Sequence, residues 1–226
     1  MLGAARRCVG AFASDSFMKL IILDRDGTIN EEHADFIKSP EEWIPLPGAL
    51  EAVAKLNHAG WRTIIASNQS GLGRGLFDVA ALNAMHAKMH KLLTALGGRM
   101  DAVFYCPHTP TDNCSCRKPL PGLFEQIIER TGVDAHLIPS VGDSLRDMQA
   151  AAAAGCEPHL VLTGNALHLR GQPLPDTYPV NTMTHHDLAA FADFVIAREK
   201  DQEKAQALVQ ATMKNIAKEN KEKTAS

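Results

Sequence analysis

The sequence predicts an α/β fold in which a parallel sheet carries helices on both faces. Three observations support this. Short apolar runs of four to six residues recur along the chain, alternating with stretches that have helical apolar spacing. Polar motifs follow the runs, where ligands gather beyond the carboxyl ends of parallel strands. The composition, 226 residues with 45% hydrophobic and 22% charged, suits one globular domain or a domain with an appendage.

The elements read in order. KLIIL, residues 19–23, is a buried strand. PGALEAVAKLNHAG is a helix carrying Leu50, Val53, Ala54 and Leu56, with Gly60 placed to stop it. WRTIIA, residues 61–66, is the next strand. Residues 77–97 form a long helix capped by Asp78, with Leu82, Met85, Met89, Leu92, Leu93 and Leu96 turned inward. AVFY, LIPSV and HLVLT supply further strands, separated by helices at 121–131 and 144–154. The domain is expected over residues 18–197. Residues 1–17 are small, weakly basic and unpatterned, and are expected to be an unstructured extension before a natural start at Met18. Arg6 and Arg7 precede an apolar stretch too short for a signal-peptide core. Residues 198–226 are polar, with Ala205, Leu208, Val209, Thr212 and Ile216 at helical spacing. They predict a solvated tail helix that frays, the alternative being a partner-binding helix.

Charge and cysteine usage narrow the class. With 23 Lys and Arg against 26 Asp and Glu, the net charge of −3 disfavours a protein that coats nucleic acid. No run approaches the ~20 apolar residues of a membrane span. Three of the five cysteines, Cys106, Cys114 and Cys116, fall within eleven residues. An odd, clustered set argues against a disulfide scaffold and for a reduced, cytoplasmic protein with a local metal clip.

Four motifs carry chemistry. LDRDGT places Asp24 and Asp26 directly after the first strand, with Gly27 permitting a sharp turn. Two close carboxylates repel unless a cation holds them, which invites Mg²⁺. A carboxylate can attack phosphorus, and a second acid can protonate the leaving oxygen and then deprotonate water. The plain alternative is a capped turn. SNQSGLGRG follows the second strand. Ser67 and Asn68 end that strand, where a hydroxyl and backbone N–H groups can grip phosphate oxygens, Gln69 and Ser70 are expected substrate contacts beside them, and Arg74 offers a guanidinium fork. Gly71, Gly73 and Gly75 would let the chain approach a ligand. RKPLPG supplies Lys118 to neutralise a transferred phosphoryl group, with an exposed surface lysine as the alternative. VGDSLRDMQ supplies Asp143 as a further Mg²⁺ ligand, with Asp147 one helical turn on in support.

CPHTPTDNCSCRKP holds Cys106, His108, Cys114 and Cys116. Three thiolates and an imidazole fill a tetrahedral zinc sphere with no position left for water, which describes a structural site. It would brace Arg117 and Lys118 toward substrate.

In this order, the four motifs resemble those of the haloacid dehalogenase-like phosphatases, over roughly residues 19–195. The resemblance implies a Rossmann-like, capless domain with a small zinc loop and a Mg²⁺-dependent phosphohydrolase activity. It implies Asp24 as nucleophile and Asp26 as general acid and base, Ser67 and Lys118 as phosphoryl stabilisers, and Asp24, Asp143 and the Asp26 carbonyl as metal contacts. Within that family, LDRDGTIN, SNQSGLGRG, the zinc loop and VGDSLRDMQAA are similar to the heptose-bisphosphate phosphatases of the ADP-heptose and lipopolysaccharide-core route. The histidinol-phosphate phosphatases share the clip and are the alternative, as is a non-catalytic phosphate-binding module. A bisphosphate needs a second anion site, which Arg74 and Arg117 can supply. The stretch Glu32, His33, Ala34 and Asp35 is expected to contact substrate, although it departs from the aspartate-histidine-glycine-tyrosine run of many heptose phosphatases. A small phosphorylated sugar is the expected partner of a monomeric chain, without nucleic acid or membrane.

Overall fold

The computed structural model describes residues 18–224, and side chains within that range as far as residue 214. The extension expected over residues 1–17 lies outside the described residues.

Six parallel strands form one sheet in the order β3-β2-β1-β4-β5-β6: β1 Leu20–Leu23, β2 Arg62–Asn68, β3 Ala102–Cys106, β4 Pro139–Gly142, β5 Glu157–Val161 and β6 Met183–His185. Chain order reverses direction between β1 and β4, which opens a crevice at their carboxyl ends. The helices are α1 Ala49–His58, α2 Ser70–Gly73, α3 Val79–Ala95, α4 Gly122–Thr131, α5 Leu145–Ala153 and α6 Leu188–Thr224.

Side chains that alternate along β1 divide the core. Ile21 and Leu23 join Ile65 and Val141 under α1, α3 and the start of α6. Leu20 and Ile22 join Ile64 and Ala66 against Leu123, Phe124 and Ile127 of α4 and Ala150 and Ala151 of α5. Burial on both faces explains why KLIIL is apolar at every position after its lysine. The Asp78 side chain caps α3, accepting from the Ala81 N–H at 2.8 Å.

Several boundaries differ from the sequence expectations. β2 runs on to Asn68 because it stays paired with β3 as far as Cys106. Leu137 belongs to a 3-10 turn, Ala135–Leu137, so β4 begins at Pro139. β5 starts two residues earlier than HLVLT, as Glu157 and Pro158 pair with β4. β6 is only Met-Thr-His, with no apolar run to announce it. Leu96 lies beyond the last turn of α3 and is exposed. The expected boundary at residue 197 falls inside α6. That helix buries Leu188, Phe191, Ala192 and Val195 and continues outward with Leu208, Val209 and Met213 exposed. Between β2 and β3 the chain makes only α2 and α3, so no second domain covers the sheet end there. Among the described residues, no helix is long and apolar enough to cross a membrane.

Candidate active site

A cavity of about 260 Å³ opens at the carboxyl ends of β1 and β2. Asp24 leaves β1 with its backbone N–H bonded to the Val141 carbonyl of β4, 2.8 Å away, which fixes its side chain at the cavity floor. The loop then folds back on itself. The Arg25 carbonyl accepts from the N–H groups of Ile29 at 2.8 Å and Asn30 at 3.2 Å, and Gly27 bonds the Asn30 carbonyl at 2.7 Å. Gly27 has φ +79°, and a Cβ there would lie 2.1 Å from the Asp143 carboxylate, so only glycine serves.

Lys118 is buried rather than a surface residue. Its ammonium lies 2.6 Å from Asp24 Oδ1, 2.6 Å from Asp147 Oδ1 and 2.7 Å from the Ala66 carbonyl. The Asn68 side chain holds the Lys118 backbone at both ends: Nδ2 donates to the Lys118 carbonyl at 3.0 Å, and Oδ1 accepts from its N–H at 3.1 Å. Asn68 therefore ties the lysine loop to β2, while its second Nδ2 hydrogen has no protein partner at the cavity wall that it lines. Ser67 is buried, with its Oγ accepting from Gln69 Nε2 at 2.7 Å.

Asp26 is enclosed by donors. Arg25 Nε and Nη2 donate to its Oδ1 at 2.9 and 2.7 Å, Asn30 Nδ2 donates to the same oxygen at 2.9 Å, and Gln69 Nε2 donates to Oδ2 at 2.9 Å. Burial alone would make this carboxyl a weaker acid. The Arg25 guanidinium and these hydrogen bonds outweigh burial and hold the carboxyl below the usual range.

Asp24, Asp143 and Asp147 bring carboxylate oxygens within 4.8 Å of one another. Burial pushes Asp24 up to about 7, against the pull of Lys118, with the Asp147 and Asp26 charges adding to the rise. Burial and the charges of Asp147 and Asp24 raise Asp143 well above the carboxylate range. Asn165 donates to Asp143 Oδ2 from its backbone at 2.7 Å and its side chain at 3.0 Å, whereas Oδ1 is buried without a partner. An orphaned buried oxygen beside a second crowded carboxylate fits a hard divalent cation. Asp147, the third member of this carboxylate cluster, also has a structural task. It closes a capping box with Ser144 at the start of α5 while pairing with Lys118.

The rim is more cationic than the sequence suggested. Arg74 and Arg117 line the cavity as expected, with Glu32, His33, Ala34 and Ser70. Asp35 does not line it. The turn that bonds the Phe36 N–H to the His33 carbonyl, with Phe36 at φ 63°, brings Phe36 and Ile37 inward and leaves Asp35 exposed. Arg74 lies over the Phe36 ring at 5.6 Å. Arg146, from the first turn of α5, also lines the cavity, with its guanidinium 3.8 Å from Glu32. Arg25, Phe36, Ile37, Arg146 and Asn165 were not singled out in the sequence. The interval of three from Asp143 to Arg146 within VGDSLRD was the available sign that Arg146 shares the aspartate's end of its helix. Two of the glycines also act otherwise than expected. A Cβ on Gly71 would meet the Phe77 ring at 2.3 Å, and one on Gly73 would meet the Pro107 carbonyl at 2.6 Å, so they allow packing of α2 rather than approach to a ligand.

The zinc-loop residues converge. Cys106, His108, Cys114 and Cys116 bring their ligating atoms within 4.8 Å of one another, including Cys106 to Cys114 at 3.7 Å and His108 Nδ1 to Cys116 at 3.3 Å. Burial, and then the neighbouring Cys116 thiol, push the Cys106 thiol up to about 12, so the thiols need a cation to ionise together. These separations and the soft donor set fit tetrahedral zinc. Cys106 ends β3, and Arg117 Nη1 donates to the His108 carbonyl at 3.2 Å, so the clip anchors a rim cation to the sheet. Stripping the metal with a chelator is expected to lower the melting temperature and weaken substrate binding together. An unchanged melt after metal analysis shows the site empty would contradict this.

The comparisons with known proteins agree with this geometry. Residues 29–155, more than half of the chain, match the model of haloacid dehalogenase-like hydrolases. The D-glycero-beta-D-manno-heptose-1,7-bisphosphate 7-phosphatase of Bordetella bronchiseptica is 56% identical over 176 residues, 78% of this chain and 97% of that protein. Its counterpart in Pseudomonas aeruginosa is 48% identical over 177 residues, with the same coverage. A crystal structure of the Bordetella bronchiseptica D,D-heptose 1,7-bisphosphate phosphatase, complexed with magnesium and phosphate, superimposes with a TM-score of 0.76 at 54% identity, covering 80% of this chain and 99% of that one. The Burkholderia thailandensis phosphatase gives a TM-score of 0.60 at 50% identity, covering 78% and 98%. Shared motif order, shared sheet and identity over nearly the whole length of these relatives lead to one conclusion: the chain belongs to the haloacid dehalogenase-like hydrolase family.

Proposed function

We propose that the protein removes the 7-phosphate of D-glycero-D-manno-heptose 1,7-bisphosphate through an aspartyl-phosphate intermediate, as a step toward ADP-heptose and the lipopolysaccharide core. The observation that carries this is Asp24 at the cavity floor. Lys118 holds one of its carboxylate oxygens, and the rest of the carboxylate faces a space rimmed by Arg74, Arg117 and Arg146. Relatives 48–56% identical over 95–97% of their length bear the name of this activity.

In the first half-reaction Asp24 attacks phosphorus, the bond to the sugar oxygen breaks, and Asp26, which takes up a proton as the anionic phosphate enters and offsets the pull of Arg25, gives that proton to the leaving oxygen. In the second, Asp26 takes a proton from water, the water oxygen attacks phosphorus, and Asp24 leaves as a free carboxylate. Ser67 and Lys118 stabilise the charge on the transferred group. Asp24, Asp143 and the Asp26 carbonyl would hold magnesium, which supplies charge neutralisation at the phosphoryl oxygens. The four-residue clip would hold structural zinc. Glu32, His33, Ala34, Ser70, Arg74 and Arg117 are the proposed substrate contacts. Asn68, which lines the cavity with one amide hydrogen to spare, is a further proposed contact, whereas Gln69 contributes through its backbone because its side-chain amide is fully engaged.

The rim favours a bisphosphate over histidinol phosphate. A substrate ammonium would want unpaired carboxylates, but Glu32 already faces Arg146, and Asp35 does not line the cavity. We further read the protein as a cytoplasmic monomer, without nucleic-acid or membrane partners, on the strength of its clustered cysteines and balanced charge. On one preparation with magnesium, kcat/KM for the heptose bisphosphate should exceed that for histidinol phosphate by about a hundredfold or more. Equal or reversed values would overturn the substrate assignment.

A further inference from the structure

We infer that Gln69 is a positioning residue that seats Asp26 for proton transfer and fixes the polarity of Ser67, rather than a side chain that binds substrate. The inference rests on the phosphatase reading and deepens it.

The neighbours of the Gln69 amide fix which of its atoms faces which way. Arg25 Nη2 lies 3.2 Å from Gln69 Oε1, and a guanidinium only donates. That contact fixes the amide orientation and leaves Nε2 to face the other way. Nε2 spends its two hydrogens on Asp26 Oδ2 at 2.9 Å and Ser67 Oγ at 2.7 Å. Gln69 is itself buried, at 4% exposure, so its polar side-chain atoms are engaged by protein. A buried amide committed in this way has no donor left for a ligand.

Two consequences follow at the reacting groups. Ser67 Oγ accepts from Gln69, so the serine hydrogen remains free to point at a phosphoryl oxygen. Arg25 and Asn30 grip Asp26 at Oδ1, and Arg25 Nη2 at 2.8 Å and Gln69 Nε2 at 2.9 Å share Oδ2, so Gln69 supplies the one donor to that oxygen from outside the nucleophile loop and holds the carboxyl plane in one orientation while the side chain keeps partial access to the cavity. A general acid matters most when the departing oxygen is a poor leaving group. Serine polarity matters equally for every phosphate ester. The two roles therefore separate by leaving group.

The test compares kcat/KM for p-nitrophenyl phosphate and an alkyl phosphate in the magnesium-loaded protein, in the wild type, Gln69→Leu and Gln69→Glu. Because kcat/KM covers only the steps through release of the alcohol, it isolates protonation of the leaving group. Both variants should lose about tenfold on the nitrophenyl ester, and about a hundredfold to a thousandfold on the alkyl ester. Equal losses on both esters would overturn the inference, because a role in packing or phosphate binding alone has no leaving-group dependence. In an Asp26→Asn background, Gln69→Leu should add no further leaving-group-dependent loss. A full additional loss there would also overturn it. Wild-type protein that released phosphate from neither ester would instead defeat the phosphatase reading itself, and this inference with it.

Discussion

Asp24→Asn should lose at least about 10⁴-fold in kcat while the protein remains folded. The amide has nearly the shape of the carboxyl but cannot act as the nucleophile. The fold should tolerate it because Lys118 keeps two of its three partners, the Asp147 carboxylate and the Ala66 carbonyl. Burial also disfavours charge on Asp24, holding its pKa up at about 7, so a neutral residue there relieves a desolvation cost. Steady-state phosphate release and a thermal melt on the same sample check both halves. Retained turnover would remove the covalent route. A collapsed melt would show that Asp24 is needed for the fold.

Lys118→Ala is expected to damage both activity and stability. The ammonium is fully enclosed and stands between two carboxylates at 2.6 Å each. Removing it leaves Asp24, Asp143 and Asp147 crowded together without their cation. Breaking a buried ion pair in this way costs about 3–5 kcal/mol. The charge on a transferred phosphoryl group would lose its compensation as well, at a further cost of about 10²–10³ in kcat. Denaturant unfolding without added metal measures the first effect. Magnesium should restore part of the lost stability, because it supplies positive charge to the same carboxylates, but should not restore turnover. A variant as stable as the wild type would mean that the enclosed ammonium is not what offsets those charges.

Much of this site was legible in the sequence because its parts are punctuation at strand ends. A buried parallel strand must be apolar throughout, so LIIL followed at once by Asp-Arg-Asp-Gly marks where β1 reaches its ligand end. The Cys-x-His and Cys-x-Cys pairs were legible for another reason: metal donors carry their chemistry in residue type and spacing alone. What stayed hidden depends on contacts across the fold. That Lys118 is buried follows from Asn68 on β2 holding its backbone, some fifty residues away in sequence. Asp35 was expected in the cavity because it adjoins His33, but a single residue with positive φ at Phe36 turns the chain and exposes it. Arg146 follows a capping box and reads as ordinary helix chemistry until the rim of the cavity is assembled. β6 has no periodicity to detect in three residues, and is a strand only because β5 pairs with it.

In this mechanism phosphorus passes through the Asp24 side chain. Acid quenching during turnover, borohydride reduction and peptide sequencing by mass spectrometry test it directly, since hydride converts an acyl phosphate to an alcohol and leaves free carboxylates untouched. Residue 24 should be recovered in part as homoserine, only when substrate and magnesium are both present, with residue 26 recovered as aspartate. Homoserine at residue 26, or at neither position during active turnover, would contradict the account.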